Sequence, residues 1–242
     1  MKIVATIEAR MESTRLPGKI LMPLAGRPGL ERLVDRVRHS KLVDEVIVAT
    51  TDRPSDEATV KACDEAWVRY FRGSSEDVLD RVLKAAKSLN ADLIVELTGD
   101  CPLLDPEIID SVIQKYLDGG YDYVSNVLKR TFPRGMDTQV FSVKLLEEIS
   151  EFTLDAHDRE NVSLFIYEHP EYFKLGNVAS ENPRPDLRLT VDTIKDYELV
   201  SSVYENLYPQ NPNFNLSDII LFLDQNPQIK NINAEVQQKR VR

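Results

Sequence analysis

Three positively charged side chains fall within one loop near the amino terminus. The loop follows a short apolar segment and contains Arg10, Arg15 and Lys19 together with hydroxyl side chains and Gly18. A nucleoside triphosphate carries about four negative charges near neutral pH, and three cations with backbone N–H groups would neutralise much of that charge. The loop is neither a Walker A nor a Gly-x-Gly-x-x-Gly sequence. We expect it to bind an anion; a solvated loop with scattered charges is the alternative.

Two acidic residues stand directly after apolar segments far away in the chain. Asp100 follows Leu93–Leu97, and Asp192 follows Leu187–Val191. Magnesium prefers one or two carboxylates together with phosphate oxygens and water. Asp100 can also be explained as part of a Gly-Asp turn that closes a strand. A capping box that begins at Thr193 explains that residue but leaves Asp192 without a role, so the pair predicts a Mg²⁺ site.

A further loop, Arg130–Phe141, carries Arg130 and Arg134 around a Pro/Gly segment. Two arginines in such a loop suit an anionic acceptor such as a sugar acid or a sugar phosphate. A surface hairpin or a dimer contact is the alternative. Cys101 has no neighbouring base, so a small buried side chain is the better interpretation than a nucleophile.

The first half of the chain alternates between apolar runs and segments with helical periodicity. This pattern predicts parallel strands joined by right-handed crossover helices, and therefore an α/β fold with a Rossmann-like, doubly wound, mostly parallel sheet. In such a sheet, ligands bind beyond the carboxyl ends of the strands, where these loops would meet. The expected strands are 3–9, 45–50, 68–71, 93–97 and 121–125, and the expected helices between them begin near residues 30, 55, 76 and 106.

The second half is less regular. We expect a single domain over residues 1–242, with 127–170 as a small inserted hairpin and helical region and Lys239–Arg242 as a frayed tail. The elements expected there are strands at 138–142 and 187–191 and helices at 143–150, 159–168, 193–208 and 216–225.

Charge and cysteine usage exclude several classes of protein. Lys and Arg number 30 against 40 Asp and Glu, a net charge of −10, which opposes binding to nucleic acid or anionic lipid. Two cysteines and three scattered histidines do not form a zinc or disulfide pattern. No apolar stretch approaches the ~18 residues of a membrane span. We expect a soluble protein of a reducing cytoplasm.

In chain order, these segments resemble the cytidylyltransferases that activate sugars. That family includes the CMP-3-deoxy-manno-octulosonate synthetases, the CMP-acylneuraminate synthetases and the spore-coat-polysaccharide type, to which this chain is most similar. The leading motif is a strand followed by Ala-Arg and then Ser-x-Arg-Leu-Pro-Gly-Lys. The matching segments are Ile7–Leu21, Val48–Thr51, Phe71–Ser74, Asp77–Arg81, Thr98–Pro102, Asp122–Asn126, Pro133–Asp137 and Val191–Thr193.

The resemblance implies roles for the residues at the nucleotide. Arg15 and Lys19 would hold the triphosphate and, with Asp100, act in catalysis, while Arg72 would lie near the base. Asp100 and Asp192 would hold Mg²⁺. The residues that the resemblance places at the nucleotide are Ala9, Arg10, Arg15, Lys19, Thr51 and Arg72.

The resemblance also implies an acceptor site and a homodimer, both built from residues 127–170. Arg134, Asp137 and Gln139 would face the acceptor. The chain departs from the family at Gln139, where an acidic residue is common, at Asn161, where His is common, and at Glu8, where Gln or Pro is usual.

The resulting expectation is an enzyme that transfers a nucleotidyl group from CTP to a sugar acid or related sugar and releases pyrophosphate, for surface polysaccharide biosynthesis. Two alternatives remain. A nucleotide-sugar-dependent glycosyltransferase on a similar sheet often carries Asp-x-Asp at its metal, which Gly99-Asp100-Cys101 lacks. A non-catalytic nucleotide-binding protein would bind CTP without releasing pyrophosphate.

Overall fold

A computed structural model of the protein describes residues 1–238, so the expected tail at Lys239–Arg242 lies outside the described residues. The strands are β1 (Ile3–Glu8), β2 (Pro23–Leu24), β3 (Arg27–Pro28), β4 (Glu45–Thr51), β5 (Arg69–Gly73), β6 (Leu93–Thr98), β7 (Tyr123–Ser125), β8 (Gln139–Ser142) and β9 (Leu175–Asn177). The α-helices are α1 (Gly29–Val37), α2 (Glu57–Glu65), α3 (Val78–Ser88), α4 (Pro106–Leu117), α5 (Val143–Phe152), α6 (Ala156–Glu160), α7 (Leu164–Glu168), α8 (Ile194–Leu207), α9 (Leu216–Gln225) and α10 (Pro227–Lys230). Short 3₁₀ turns stand at Lys19–Leu21 and Pro54–Asp56.

The main sheet has seven strands in the order β5-β4-β1-β6-β8-β7-β9. Every neighbouring pair is parallel except the two that involve β8, which runs against β6 and β7. The chain first moves outwards from β1 to β4 and β5 and then returns to the other side of β1 at β6. This reversal confirms the doubly wound, mostly parallel sheet and opens a crevice at the carboxyl ends of β1 and β6.

Both faces of the sheet are buried, because the strands are apolar on both sides. In β1, Ala5 and Ile7 face a core shared with α1, α4, α8 and α9, while Val4 faces a second core shared with α3, α5 and α7. Glu8 and Glu96 interrupt this apolar pattern at the carboxyl end of the second face.

Caps fix where the helices behind the crevice begin. Asp105 accepts a hydrogen bond from the backbone N–H of Glu107, and Pro106 follows as the first residue of α4. Thr193 and Asp196 form the reciprocal capping box that the sequence predicts at the start of α8. The residue before this box, Asp192, is thereby held beside Asp100, at the carboxyl end of β6.

Two expected elements differ from the structure, and the main sheet has one strand that the sequence does not predict. Leu187–Val191 is not a strand: it forms one isolated bridge, between Arg188 and Arg134, since its backbone turns from Arg134 towards Asp100. The helix expected over Arg159–Glu168 is broken into α6 and α7, because the chain turns between Asn161 and Ser163. The strand β9 was not expected, because its three residues contain Gly and Asn and lack a run of β-forming side chains.

Residues 127–170 contribute to the sheet as well as covering it. Their strand β8 lies between β6 and β7, and α5 to α7 follow it. The antiparallel strand brings Gln139 opposite Glu96. This segment therefore reaches the carboxyl end of β6, beside the crevice.

Gly135 allows the backbone of Leu187–Val191 to approach the loop before β8. Its φ is +95°, and a Cβ at this position would lie 2.6 Å from the carbonyl carbon of Leu189. Leu189 donates its backbone N–H to the carbonyl of Arg134 at 2.8 Å, so this close approach is part of the hydrogen-bonded structure.

Replacement of Gly135 by alanine should destabilise the protein more than the same change at Gly119. Gly119 has a similar φ of +94°, but a Cβ there meets nothing within 4 Å. We expect Gly119→Ala to lose about 1–2 kcal/mol from backbone strain alone, and Gly135→Ala to lose at least twice as much. Urea denaturation measures both losses; equal losses would show that the approach of Leu189 is not restrictive.

Candidate active site

A tight contact holds together the loops that follow β1 and β6 at this crevice. The backbone N–H of Gly99 donates to the carbonyl oxygen of Glu8 at 2.8 Å, and a Cβ on Gly99 would lie 2.9 Å from that oxygen. Only glycine fits without a shift of one loop. The contact places Ala9 and Arg10 next to Asp100.

Lys19 lies at the centre of the charged residues in this crevice. Its ammonium nitrogen is 2.5 Å from Oδ2 of Asp100 and 2.8 Å from Oδ1 of Asp192. Burial alone would lower the pKa of Lys19, but the two carboxylates outweigh it and the pKa is raised above its ordinary value. The ammonium group is therefore charged throughout the neutral range and holds the two carboxylates together.

Asp192 is contacted by cations through both of its oxygens. Oδ1 accepts from Lys19 and lies 2.8 Å from Arg15, while Oδ2 accepts from Arg188 at 2.5 Å. Burial alone would raise the pKa of Asp192, but Lys19, Arg15 and Arg188 lower it below its ordinary value. Asp192 is thus a carboxylate at neutral pH.

The charged cluster opens into a cavity of about 340 Å³. Predicted site residues in its wall are Ala9, Arg10, Arg15, Lys19, Asp100 and Asp192. Arg81, Glu160 and Asn161 line the cavity as well. A larger cavity of about 430 Å³, between α1, α4 and α8, contains none of the predicted site residues. Charge and chemistry therefore identify the candidate site.

Two acids, the half-buried Glu8 and the buried Glu96, lie on the second face of the sheet beside this cavity. Burial raises the pKa of Glu8 to about 7, although Arg81 and Arg10 act against the shift. Burial and the neighbouring Glu8 also raise the pKa of Glu96 well above its ordinary value. Oε1 of Glu8 and Oε2 of Glu96 have no hydrogen-bond partner within the described residues.

The structure does not bring Thr51 and Arg72 to the charged cluster. The hydroxyl of Thr51 donates to Asp56, next to the start of α2. The guanidinium of Arg72 donates to the carbonyl of Thr51 at 3.1 Å and pairs with Glu57, in a separate depression on the surface. Their expected contact with the nucleotide stays a prediction.

The three predicted acceptor residues also lie apart from the cavity wall. Arg130 binds Asp137 through two parallel hydrogen bonds of 2.7 and 2.8 Å. Arg134 lines a different cavity of about 310 Å³. Gln139 uses its amide oxygen to accept hydrogen bonds from the hydroxyls of Tyr123 and Ser163.

Sequence reasoning missed several charged residues in and around this site, among them Arg81, Glu96 and Arg188. Signals for all three are present in the sequence. Glu96 interrupts an apolar strand, Arg81 stands within the apolar stripe of α3, and Arg188 precedes Asp192 by four residues. A charged side chain inside a buried strand or helix needs a partner of opposite charge or a hydrogen bond. Such a residue is therefore a candidate for a functional role or for a structural ion pair.

Both cysteines are buried thiols. Burial raises the pKa of Cys63 to about 12 and raises that of Cys101 well above its ordinary value. A thiol that stays protonated is a poor nucleophile. This agrees with the interpretation of Cys101 as a small buried side chain.

Comparison with known proteins decides the family. A model of the cytidylyltransferase family matches residues 4–239. The chain belongs to the cytidylyltransferase family. This confirms the resemblance seen in the sequence and makes the protein a nucleotidyltransferase enzyme.

Individual members of the family match over most of the chain. The chain is 38% identical over 232 residues to the spore coat polysaccharide biosynthesis protein SpsF of Bacillus subtilis, covering 93% of this chain and 95% of SpsF. A solved cytidylyltransferase from Leptospira borgpetersenii superposes with a TM-score of 0.91 at 36% identity, covering 99% of this chain and 100% of that one. A CMP:2-keto-3-deoxy-manno-octonic acid synthetase in complex with CTP shares the fold, with a TM-score of 0.65 at 20% identity over 86% of this chain and 100% of that one.

None of the helices described in residues 1–238 is long and apolar enough to cross a membrane. This agrees with the absence of long apolar stretches in the sequence.

Replacement of Glu8 by glutamine should stabilise the cytidylyltransferase more at pH 8 than at pH 5. Between the ordinary pKa of 4.5 and the raised value of about 7, the unfolded chain releases the proton of Glu8 and the folded chain keeps it. The free energy of unfolding therefore falls as pH rises through this window, by up to about 3 kcal/mol. Glu8→Gln removes that loss.

Urea denaturation at the two pH values measures the effect. The exposed Glu171 supplies the control, Glu171→Gln. A Glu8→Gln variant whose gain in stability is the same at pH 5 and pH 8 would contradict the raised pKa.

Proposed function

We propose that this cytidylyltransferase transfers the CMP group of CTP, with Mg²⁺, to a sugar acid, a sugar phosphate or a related sugar, and releases pyrophosphate for surface polysaccharide biosynthesis. The observation that carries the proposal is the convergence of Lys19, Asp100 and Asp192 at the crevice of the sheet. The family supplies the nucleotidyl chemistry, and the similarity to SpsF supplies the polysaccharide context.

The residues present fit a divalent cation. Oδ2 of Asp100 and Oδ1 of Asp192 both contact the nitrogen of Lys19, so they already face one positive charge. Within residues 1–238, no group of three or more His, Cys, Asp or Glu side chains is placed to hold a metal. Two carboxylates, completed by phosphate oxygens and water, are a common arrangement for Mg²⁺. Bound there, Mg²⁺ would withdraw electron density from the α-phosphate and neutralise its charge.

The basic side chains have a separate task. Lys19 and Arg15 lie beside the carboxylates, and the side chain of Arg15 is one-third exposed, so it can reach a ligand. With a nucleoside triphosphate bound in the cavity, the positive charges of Lys19 and Arg15 would bind its β- and γ-phosphates and stabilise the pyrophosphate that leaves. Arg10 is also available, since its guanidinium lies 3.4 Å from the carbonyl oxygen of Ser75 and 3.8 Å from Glu160.

Positioning supplies the remainder of the catalysis. The acceptor oxygen attacks the α-phosphorus while the bond to the β-phosphate breaks, so both groups need to be held in line. Thr98 donates to Oδ1 of Asp100 at 2.7 Å and thereby fixes the orientation of that carboxylate. A glycosyltransferase at this site would bind a nucleotide sugar and transfer the sugar without net release of pyrophosphate, which separates the two functions experimentally.

Asp100→Asn should abolish most turnover without unfolding the protein. The change keeps the size of the side chain but removes a charge that Lys19 and the metal need, so we expect kcat to fall at least ~100-fold. Pyrophosphate release in the presence of CTP, Mg²⁺ and a panel of sugar acids measures turnover. Asp118→Asn, at the end of α4, is the control. Full activity of Asp100→Asn would exclude the proposed role.

Self-association is the second part of the proposal. Phe152 and Leu154 are 76% and 91% exposed in the 127–170 segment. The ring centroid of Phe152 lies 5.7 Å from that of Phe165, and the ring centroid of Phe165 lies 4.2 Å from that of His169. An exposed apolar surface of this kind favours contact with a second copy of the chain.

Leu154→Lys should convert a dimer to a monomer, because a charge in an apolar interface is not solvated. Sedimentation velocity measures the mass in solution. Leu221→Lys is the control, since Leu221 is also exposed, at 59%, but lies on α9. A monomeric wild-type protein, or a dimer that survives Leu154→Lys, would reject this interface.

A further inference from the structure

Arg188 joins the candidate metal ligand Asp192 to the buried start of α8. Its side chain is 7% exposed. One terminal nitrogen donates to Oδ2 of Asp192 at 2.5 Å, and Nε donates to Oδ1 of Asp196 at 2.8 Å. The other terminal nitrogen donates to Gln238 at 2.5 Å. The guanidinium plane is therefore fixed at three points.

Asp196 provides a rigid anchor for this arrangement. It is fully buried and accepts hydrogen bonds from the backbone N–H groups of Asp192 and Thr193. Asn233 donates from its amide nitrogen to Oδ1 of Asp196 and to the carbonyl oxygen of Arg188, both at 2.9 Å. The position of Arg188 is thus set by the capping box of α8 and by the carboxyl-terminal segment.

The two oxygens of Asp192 have different surroundings as a result. Oδ2 is occupied by Arg188, whereas Oδ1 faces Lys19 and Arg15 in the cavity. We propose that Arg188 is a positioning residue that presents a single oxygen of Asp192, Oδ1, to the divalent cation. The inference rests on the proposed function, because it takes Asp192 as a metal ligand.

Charge neutralisation alone does not account for this geometry. A single cation near Asp192 and Asp196 would balance charge in many orientations, but a planar guanidinium donates along fixed directions and so transmits orientation as well. Partners that orient a metal ligand raise metal affinity, and their replacement lowers it by about 10- to 100-fold.

The test compares Arg188→Gln with Arg184→Gln. Arg184 lies four residues earlier and also donates two hydrogen bonds to carboxylate oxygens. Both go to Asp224, at 2.9 and 3.0 Å, and neither goes to Asp192. Electron paramagnetic resonance of free Mn²⁺, in the presence of CTP and the full-length protein, gives the half-saturating metal concentration. The dependence of kcat on free Mg²⁺ gives an independent value, and thermal unfolding reports the stability of each variant.

We expect Arg188→Gln to raise the half-saturating concentration of Mn²⁺ and Mg²⁺ about 10- to 100-fold, with kcat largely recovered at saturating metal. Arg184→Gln should leave it unchanged. Arg188→Lys keeps the charge but loses the planar guanidinium, so its half-saturating metal concentration should stay well above that of wild type. This variant takes the place of Arg188→Gln in the test if Arg188→Gln does not fold.

Two failures are distinguishable. If wild type binds Mn²⁺ with CTP and both Arg188 variants bind it equally well while losing only thermal stability, Arg188 is structural and the inference is overturned. If wild type neither retains Mn²⁺ with CTP nor releases pyrophosphate with any acceptor, the proposed function itself fails, and the inference with it.

Discussion

The site depends on one electrostatic constraint, the sharing of the Lys19 ammonium between the carboxylates of Asp100 and Asp192. The three residues are distant in sequence, since Lys19 is 81 positions from Asp100 and 173 from Asp192. Two carboxylates at such short range repel each other unless a cation lies between them, and in a partly buried crevice that repulsion is weakly screened. A metal–triphosphate complex that enters the crevice would meet these two carboxylates and this one positive charge. The interaction that stabilises the crevice therefore also prepares the crevice to bind such a complex.

The fold brings Lys19, Asp100 and Asp192 close enough for this interaction. The return of the chain from β5 to β6 places the ends of β1 and β6 side by side, and Gly99 allows their loops to touch. Asp192 reaches the same place without a strand, because the backbone N–H of Val191 donates to the carbonyl oxygen of Asp100 at 2.8 Å. Behind it, the capping box of α8 and Arg188 hold the carboxylate from the protein interior. Each of these contacts involves either a backbone group or the planar guanidinium of Arg188. Such groups form hydrogen bonds in fixed directions, so the side chains of the site are restricted to few orientations.

Much of this was predictable from the sequence, and the omissions have physical causes. The alternation of apolar runs with segments of helical periodicity predicts the parallel sheet. Lys19 and Asp100 both lie in loops that follow strands of this sheet, so the sequence also predicts that they are neighbours. Leu187–Val191 has the composition of a strand, but its hydrogen bonds go to one loop on each side, which periodicity does not reveal. Arg188 was missed because Asp196 is explained as an ordinary capping residue of α8, and the sequence does not show that one guanidinium joins Asp196 to Asp192. Thr51 and Arg72 were placed by resemblance, and the structure engages both in contacts with α2 and its preceding turn.

In a crystal structure of the protein with CTP and Mn²⁺, anomalous scattering would locate the metal. We predict an anomalous peak within bonding distance of carboxylate oxygens from both Asp100 and Asp192, with the ammonium of Lys19 moved onto the phosphates. A nucleotide bound elsewhere, with Lys19 still bridging the two carboxylates and no metal between them, would contradict it.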